Sequence, residues 1–406
     1  MGQLLGKYIL SRGAIPFFPL FSAWNTLGRA TRHATVLGLH LRVSNPALDE
    51  AETARRARTW YALYCLEILI AEITGRPKSV FLSDVTTPTD MLQRQDHIAE
   101  GSMEDGDYMS ALESRRMWLE FLRARRDISQ AMTGGMVPPL TSFSSLGRGV
   151  SPRYFPHRIH LCRLSDKIAT KLYSGTSDGT WAQVQRKIGE LQTDLRFWSK
   201  SLPDELNLQS YVTMDTDPRA RIELALYYHS LQMILHRPCL CDIVIETQSS
   251  ASEEFNLSSA RACVHAAMSL LAILPDNPSA HESYQLLPWW ALLHYVAQAT
   301  AVFMLEMALD CQHFKNEILE VVDYLRKAMA YIWCMTQGPL SAYRAWRLFR
   351  NLLSTIQDKN DQYHAVDIPQ LACVPKGWTE EHEAAISKSF FTRKAASEVD
   401  EQQQAT

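Results

Sequence analysis

Residues 181–203 read WAQVQRKIGELQTDLRFWSKSLP, and within them Trp181, Val184, Ile188, Leu191, Leu195, Trp198 and Leu202 follow at alternating steps of three and four. That is the period at which residues return to one face of an α-helix, so the stretch predicts an amphipathic helix that Pro203 ends. The same period recurs upstream, where Phe21, Trp24, Leu27, Ala34 and Leu37 share a helical face and Gly38 suits its end. A second helix is expected to open near Asn45-Pro46, with Asp49, Glu50 and Glu52 in its first turns, where carboxylates suit the positive end of the dipole. From Trp60 to Ile73 it is apolar on almost every side, interrupted by Glu67 and Glu72, which marks a central helix packed on several neighbours.

Further helices are expected at roughly 107–132, 156–174, 217–236, 258–274, 286–310, 314–336 and 340–357. Strand signals are scarce and no period of a solenoid repeats, so the fold class is all-α, an irregular multi-helix bundle. One domain spanning residues 1–385 is expected, with a loop or hinge at 133–152, where Gly134-Gly135 and several prolines gather. Residues 386–406 are expected to form a polar tail, with Gln402-Gln403-Gln404 near its end.

The 406 residues include 41 Lys plus Arg against 44 Asp plus Glu, a formal charge of −3. Proteins that grip nucleic acid through phosphates carry a basic excess, and none is present here. Forty-six per cent of the residues are hydrophobic and 21% charged, the balance of a globular chain. Eight cysteines, with no pairing pattern, do not indicate an oxidising compartment. The start, Met1-Gly2-Gln3-Leu4-Leu5-Gly6-Lys7, does not read as a secretory signal, and Gly6 stands where a myristoylation signal wants Ser or Thr. The most apolar stretch, Leu286 to Leu309, contains Pro288, His294, Gln298 and Glu306, so it is expected to be a buried helix, with no membrane partner. An intracellular protein is expected.

Catalytic and metal signatures are weak. Cys239 and Cys241 make the only tight cysteine pair, at a spacing poor for chelation, and buried structural thiols are the favoured reading. Gly175-Thr176-Ser177-Asp178-Gly179 fits the G-x-S-x-G pattern, but Ile168 to Tyr173 before it looks helical where that motif needs a strand. His281-Glu282 lacks the second histidine of a zincin, and the pairs His157/His160 and His229/His236 read as polar surface or satisfied core residues. Arginines cluster at Arg55, Arg56 and Arg58, at Arg115, Arg116, Arg123, Arg125 and Arg126, and at Arg344, Arg347 and Arg350. The favoured reading makes them solvated helix faces. No catalytic, metal-binding or DNA-binding residue is assigned.

Three segments are more specific when read together. The first is Ala23-Trp24-Asn25-Thr26-Leu27-Gly28-Arg29-Ala30 followed by Leu37-Gly38-Leu39-His40. The second runs Arg55-Arg56-Ala57-Arg58-Thr59-Trp60-Tyr61-Ala62-Leu63-Tyr64-Cys65-Leu66-Glu67, through Thr74-Gly75-Arg76-Pro77, to Asp84-Val85 and Pro88. The third comprises Leu195, Trp198, Leu202-Pro203, Leu206, Tyr228-His229, Leu235-His236-Arg237-Pro238, Cys263 and Ala266-Ala267. In order and spacing they resemble the regulatory middle homology region of fungal zinc-cluster transcription factors, over about residues 3–357. Physically this is a fold signature. Gly75 can adopt the positive φ that closes a helix and Pro77 prevents continuation, Arg76 is expected to pair with Asp84, and Trp24, Trp60 and Trp198 are each able to bury on the order of 200 Å². The chain departs from the family at Glu67-Ile68, where an Asp-Arg pair is usual, and at Ser83-Asp84-Val85-Thr86, where more aspartate is usual.

The resemblance implies a nuclear transcription-regulator-like protein controlling a metabolic or biosynthetic pathway. Its partners would be co-regulators, a small-molecule effector or a second copy of the chain. Full family members begin with a six-cysteine binuclear zinc cluster, and its spacing is missing from these residues. DNA contact is therefore expected only indirectly or through a segment upstream, and zinc only with that segment. A free-standing regulator that acts through protein partners is the other version. The rival class is an all-α enzyme of isoprenoid-processing type, suggested by aromatic-rich helices around Trp60, Trp118, Trp289-Trp290 and Trp333 and weakened by the lack of paired carboxylates.

Overall fold

The computed structural model describes residues 18–43, 49–89, 92, 153–173, 180–208, 218–240, 249–279, 287–336, 340–358 and 363. These residues all fall within one unit, Met1–Ile368. They form nine α-helices and no strand: α1 Phe18–Val36, α2 Glu50–Thr74, α3 Tyr154–Tyr173, α4 Trp181–Lys200, α5 Pro218–Leu240, α6 Ser250–Ala272, α7 Trp289–Ala308, α8 Ile318–Met335 and α9 Leu340–Gln357. Short 3-10 turns stand at Leu82–Asp84 and Asp204–Leu206. The expected helix at 107–132, the hinge at 133–152, Trp118, the Arg115–Arg126 cluster, the G-x-S-x-G segment, His281-Glu282, Cys241 and the tail at 386–406 lie outside the described residues.

Helices that follow one another in the chain pack together: α1 on α2, α3 on α4, α5 on α6, α7 on α8 and α8 on α9. The apolar stripe of α4 faces inward as its spacing demands, with Ile188, Leu191, Leu195 and Trp198 buried. Trp181 is half-buried at the stripe's end, and its indole N–H donates to Asn256 Oδ1 at 3.1 Å. Thr180 and Gln183 form a capping box at the start of α4. Helix α7 is the innermost of the later helices, touching α5, α6, α8 and α9. It is the one described helix long and apolar enough to cross a membrane, yet 78% of that window is buried inside the fold.

Helix ends show where local chemistry overrides period. Asp49 is the N-cap of α2 rather than a first-turn residue, its Oδ1 accepting the Glu52 N–H at 2.6 Å, a cap worth about 1 kcal/mol. Helix α6 starts at Ser250, well before the expected 258, because the Ser249 hydroxyl caps a polar first turn that carries no apolar period. Gly38 takes φ +67° and turns the chain out of helical phase. Leu37 is therefore 64% exposed instead of joining the α1 stripe, and Leu39 takes the buried place. Helix α5 runs past its expected end to Leu240, through Pro238. A proline there cannot donate to the Ile234 carbonyl four residues back. The Tyr173 hydroxyl donates to it instead, at 2.6 Å.

Candidate functional site

The signature residues converge on one interlock between α1, α2 and the loop that follows α2. The left-handed turn at Gly38 presents the Leu37 carbonyl to Arg56 Nη2 at 2.7 Å and lays the His40 ring against Trp60 at 5.5 Å. Beyond α2, Gly75 at φ +63° closes the helix, and the chain returns so that the Thr86 and Thr87 N–H groups both donate to the His40 carbonyl, at 2.9 and 3.1 Å. Thr87 Oγ1 donates to the Leu39 carbonyl at 2.8 Å, and the Arg42 N–H donates to Thr86 Oγ1 at 2.8 Å. From α2 the Tyr61 hydroxyl donates to the Thr87 carbonyl at 2.6 Å. Residues 39–42 and 86–87 are thus held by a ladder of backbone-directed bonds, which explains why Gly-Leu-His and the loop after Gly-Arg-Pro belong to one signature.

Two expectations need correction. Arg76 does not reach across to Asp84: its guanidinium sits over the Trp24 ring, 4.7 Å from the centroid, while the Asp84 carboxylate accepts from the Ser83 hydroxyl at 2.9 Å. Trp24 is accordingly half-buried beneath a cation, whereas Trp60 and Trp198 are fully buried. Tyr64 is buried and Leu63 half-buried. Arg55 pairs with Glu52 on the surface at 3.0 Å, as a solvated face should. Pro77 and Pro203 sit past the ends of α2 and α4.

Beside this interlock lies an open cleft of about 410 Å³, lined by Leu82, Val85, Thr87, Pro88 and Thr89 of the loop, with Tyr61 from α2 and Arg163 from α3. Arg163 Nη2 donates to the Tyr61 hydroxyl at 3.3 Å and its guanidinium stands 5.6 Å from that ring. The carboxylate of Asp166, three residues further along α3, is taken by Lys78.

Deeper in the fold, α2, α3, α5 and α7 share a polar junction that periodicity could not supply. Arg158 of α3 is buried; its Nε meets Glu223 Oε1 at 2.8 Å, its Nη1 donates to Cys162 Sγ at 2.9 Å, and its plane lies 4.1 Å from the Tyr227 ring. The Tyr154 hydroxyl donates to the other Glu223 oxygen at 2.8 Å. Burial, and after it the Glu223 charge, pushes the Tyr154 phenol well up, so it stays a donor. Glu72 near the end of α2 accepts from Ser165 Oγ at 3.0 Å and Tyr227 OH at 3.4 Å, and faces His294 Nε2 at 3.6 Å. Glu67, the other break in the apolar run, accepts from the Ser79 N–H at 2.7 Å and its hydroxyl at 2.6 Å. Those two carboxylates in a greasy helix were the available signal for this junction; their partners had none.

The downstream landmarks also find structural roles. Buried His236 engages the Ser259 hydroxyl through Nδ1 at 2.7 Å and Gln192 Oε1 through Nε2 at 2.9 Å, joining α5 to α6 and α4. Burial, with Arg196 nearby, lowers its pKa to about 4, so a neutral ring satisfies both bonds. Burial likewise lowers His229 to about 4. The Arg237 guanidinium lies 5.1 Å from the Tyr173 ring, the same tyrosine that serves the Ile234 carbonyl left by Pro238. Trp198 stacks on Tyr228 at 5.7 Å and donates to the His157 carbonyl at 3.1 Å. Among the described residues, no three His, Cys, Asp or Glu side chains gather in a way that could hold a metal ion.

A family model for the fungal specific transcription factor domain matches residues 4–200. The chain is 26% identical over 369 residues to the transcription regulator galc of Aspergillus niger, covering 80% of this chain and 43% of that protein. It is 24% identical over 327 residues to the transcription factor FBD3 of Fusarium pseudograminearum, covering 76% of this chain and 38% of that protein. A shorter match, 32% over 132 residues, links it to the sorbicillinoid biosynthetic cluster transcription factor sor3 of Hypocrea jecorina, covering 29% of this chain and 20% of that protein. The chain therefore spans less than half the length of these curated relatives. No solved structure matches it. The matched residues contain the whole interlock between Trp24 and Thr87 and end at α4, while the His236-Arg237-Pro238 landmark falls beyond them. The isoprenoid-processing alternative gains nothing from relatives that carry the names of transcription regulators. The domain match over residues 4–200, the transcription-regulator relatives and the all-α fold together bear out the resemblance to fungal transcription factors read in the sequence.

Proposed function

We propose that these residues act as the regulatory body of a fungal transcription regulator, working in the nucleus through protein contacts or a small-molecule effector rather than through catalysis or direct DNA binding. The observation that carries this reading is the interlock itself. Its hydrogen bonds hold helices and a loop in register, with Arg56 and Thr87 bonded and His40 packed within the interlock, which is the work of a structural signature. The net charge of −3 and the absence of any C-x-x-C pair in the 406 residues argue against phosphate-driven affinity for DNA by this chain. Zinc would accompany only a cluster-bearing segment.

The test fuses the 406 residues to a heterologous DNA-binding domain in a yeast reporter strain. Transcription should shift several-fold relative to the DNA-binding domain alone, and the purified chain should bind operator-length duplex DNA no better than about 10⁻⁶ M at physiological salt. A silent fusion that accumulates in the nucleus, or tight sequence-specific binding by the unfused chain, overturns the proposal.

A further inference from the structure

The cleft beside the interlock has the composition of a ligand site. Its volume of about 410 Å³ lies in the range of small-molecule pockets. Leu82, Val85 and Pro88 make an apolar wall. The floor is rigid, because Tyr61 and Thr87 are fixed to each other and Thr87 is fixed to Leu39 and His40 by direct bonds. Arg163 supplies the one cation in the lining.

That cation is under-used. A guanidinium offers five N–H donors. Here one goes to the Tyr61 hydroxyl at 3.3 Å, and the buried Nε–H has no acceptor. Asp166, the acid that could neutralise Arg163 from the same helix, is engaged by Lys78. The Tyr64 hydroxyl, buried next to Tyr61 with ring centroids 6.4 Å apart, has no partner either. An uncompensated, partly desolvated guanidinium facing an aliphatic wall matches a molecule that carries one negative charge at one end and hydrocarbon at the other. A planar carboxylate suits the fork of a single arginine; a phosphate dianion would keep half its charge unanswered.

We propose that this cleft binds a small amphipathic monocarboxylate, its carboxylate on Arg163 and its alkyl chain against Leu82, Val85 and Pro88. The inference names the effector class for the regulatory reading above and rests on that reading for its biological sense. Occupancy would bear directly on Thr87, whose carbonyl and hydroxyl tie α2 to the Gly38 turn.

Isothermal titration of the purified 406-residue chain with sodium hexanoate, and with hexanamide as its uncharged counterpart, tests it. Hexanoate should bind with unit stoichiometry and hexanamide at least about tenfold more weakly, since a charge-assisted bond is lost. Arg163→Gln should weaken hexanoate by a similar factor. Val85→Trp, which fills the cleft and keeps Arg163 in the chain, should abolish binding while the far-ultraviolet spectrum and cooperative melt are retained. Absence of hexanoate binding, equal binding of the two probes, or unchanged hexanoate affinity in both folded variants overturns the site. Hexanoate binding beside a silent reporter fusion would sink the regulatory reading and leave the site standing.

Discussion

Two carboxylates are drawn into this fold near the ends of helices, and they are engaged in opposite ways. Glu306 of α7 is fully buried, yet both its oxygens go to one neighbour: Oε1 takes the His313 N–H at 2.9 Å and Oε2 meets His313 Nδ1 at 2.7 Å. It thereby braces a turn whose Asp310 and Cys311 sit at φ 53° and 50°, a conformation that costs of order 1–3 kcal/mol per residue. Glu72 of α2 instead reaches Ser165 of α3, Tyr227 of α5 and His294 of α7, and the Arg158–Glu223 pair lies in the same junction. One acid repairs a local defect. The other depends on four helices arriving together, so damage there should spread where damage at Glu306 should not.

The largest effect should come from Arg158. Arg158→Met leaves the half-buried Glu223 beside Tyr154 without its cation, and urea denaturation should register a loss of about 3 kcal/mol. Adding Glu223→Leu to that variant should recover a good part of it, since the pair's worth lies mainly in each ion not being left alone. Costs that simply add would break the contrast drawn between a distributed junction and a local brace.

Acid should act next, through the helix that carries Glu223. His229 and His236 both stand on α5, each with a folded pKa of about 4 against an ordinary 6.5. A depressed folded pKa means that the unfolded chain takes up the proton first. Stability is therefore whole above pH 6.5 and lost as pH falls towards 4, by on the order of 3 kcal/mol for each ring. Comparing urea midpoints at pH 7 and pH 4.5 for the natural chain and for His229→Phe, which keeps a ring against Tyr228, should show a flatter slope in the variant. Parallel slopes would remove His229 from the account.

Glu306→Gln should cost least, about 1–2 kcal/mol for one weakened charge-assisted bond. Combined with Glu72→Gln it should be additive to within about 0.5 kcal/mol, as expected of sites that share no partner. A larger coupling would show that α7 carries strain from its turn to His294.

Much of the helical inventory was legible because burial imposes a period on sequence. The α4 stripe, the greasy body of α2 and the α9 span Leu340–Gln357 follow from spacing alone. The failures have a common cause: period tells which residues turn inward and nothing about which helix meets them. Arg76 was matched to Asp84 in the loop that follows it, but the return of the chain after Gly75 placed it over Trp24. Leu37 obeyed the period and still lay outside, since Gly38 ended the helix just past it. Glu67 and Glu72 announced polar business in a central helix, while Ser165 and Tyr227, 93 and 155 residues away from Glu72, carried no mark of it. Arg163, the cation of the cleft, reads in sequence as one more surface arginine of an amphipathic helix.

The phenol that replaces an amide at Pro238 ties the motions of two helices. The last turn of α5 rests on a donor 61 residues upstream, so that turn opens at little cost only when the end of α3 lets go as well. Amide hydrogens beyond Pro238 and those near Tyr173 should then exchange with solvent in a single cooperative event, with Tyr173 acting as the latch of a shared opening unit.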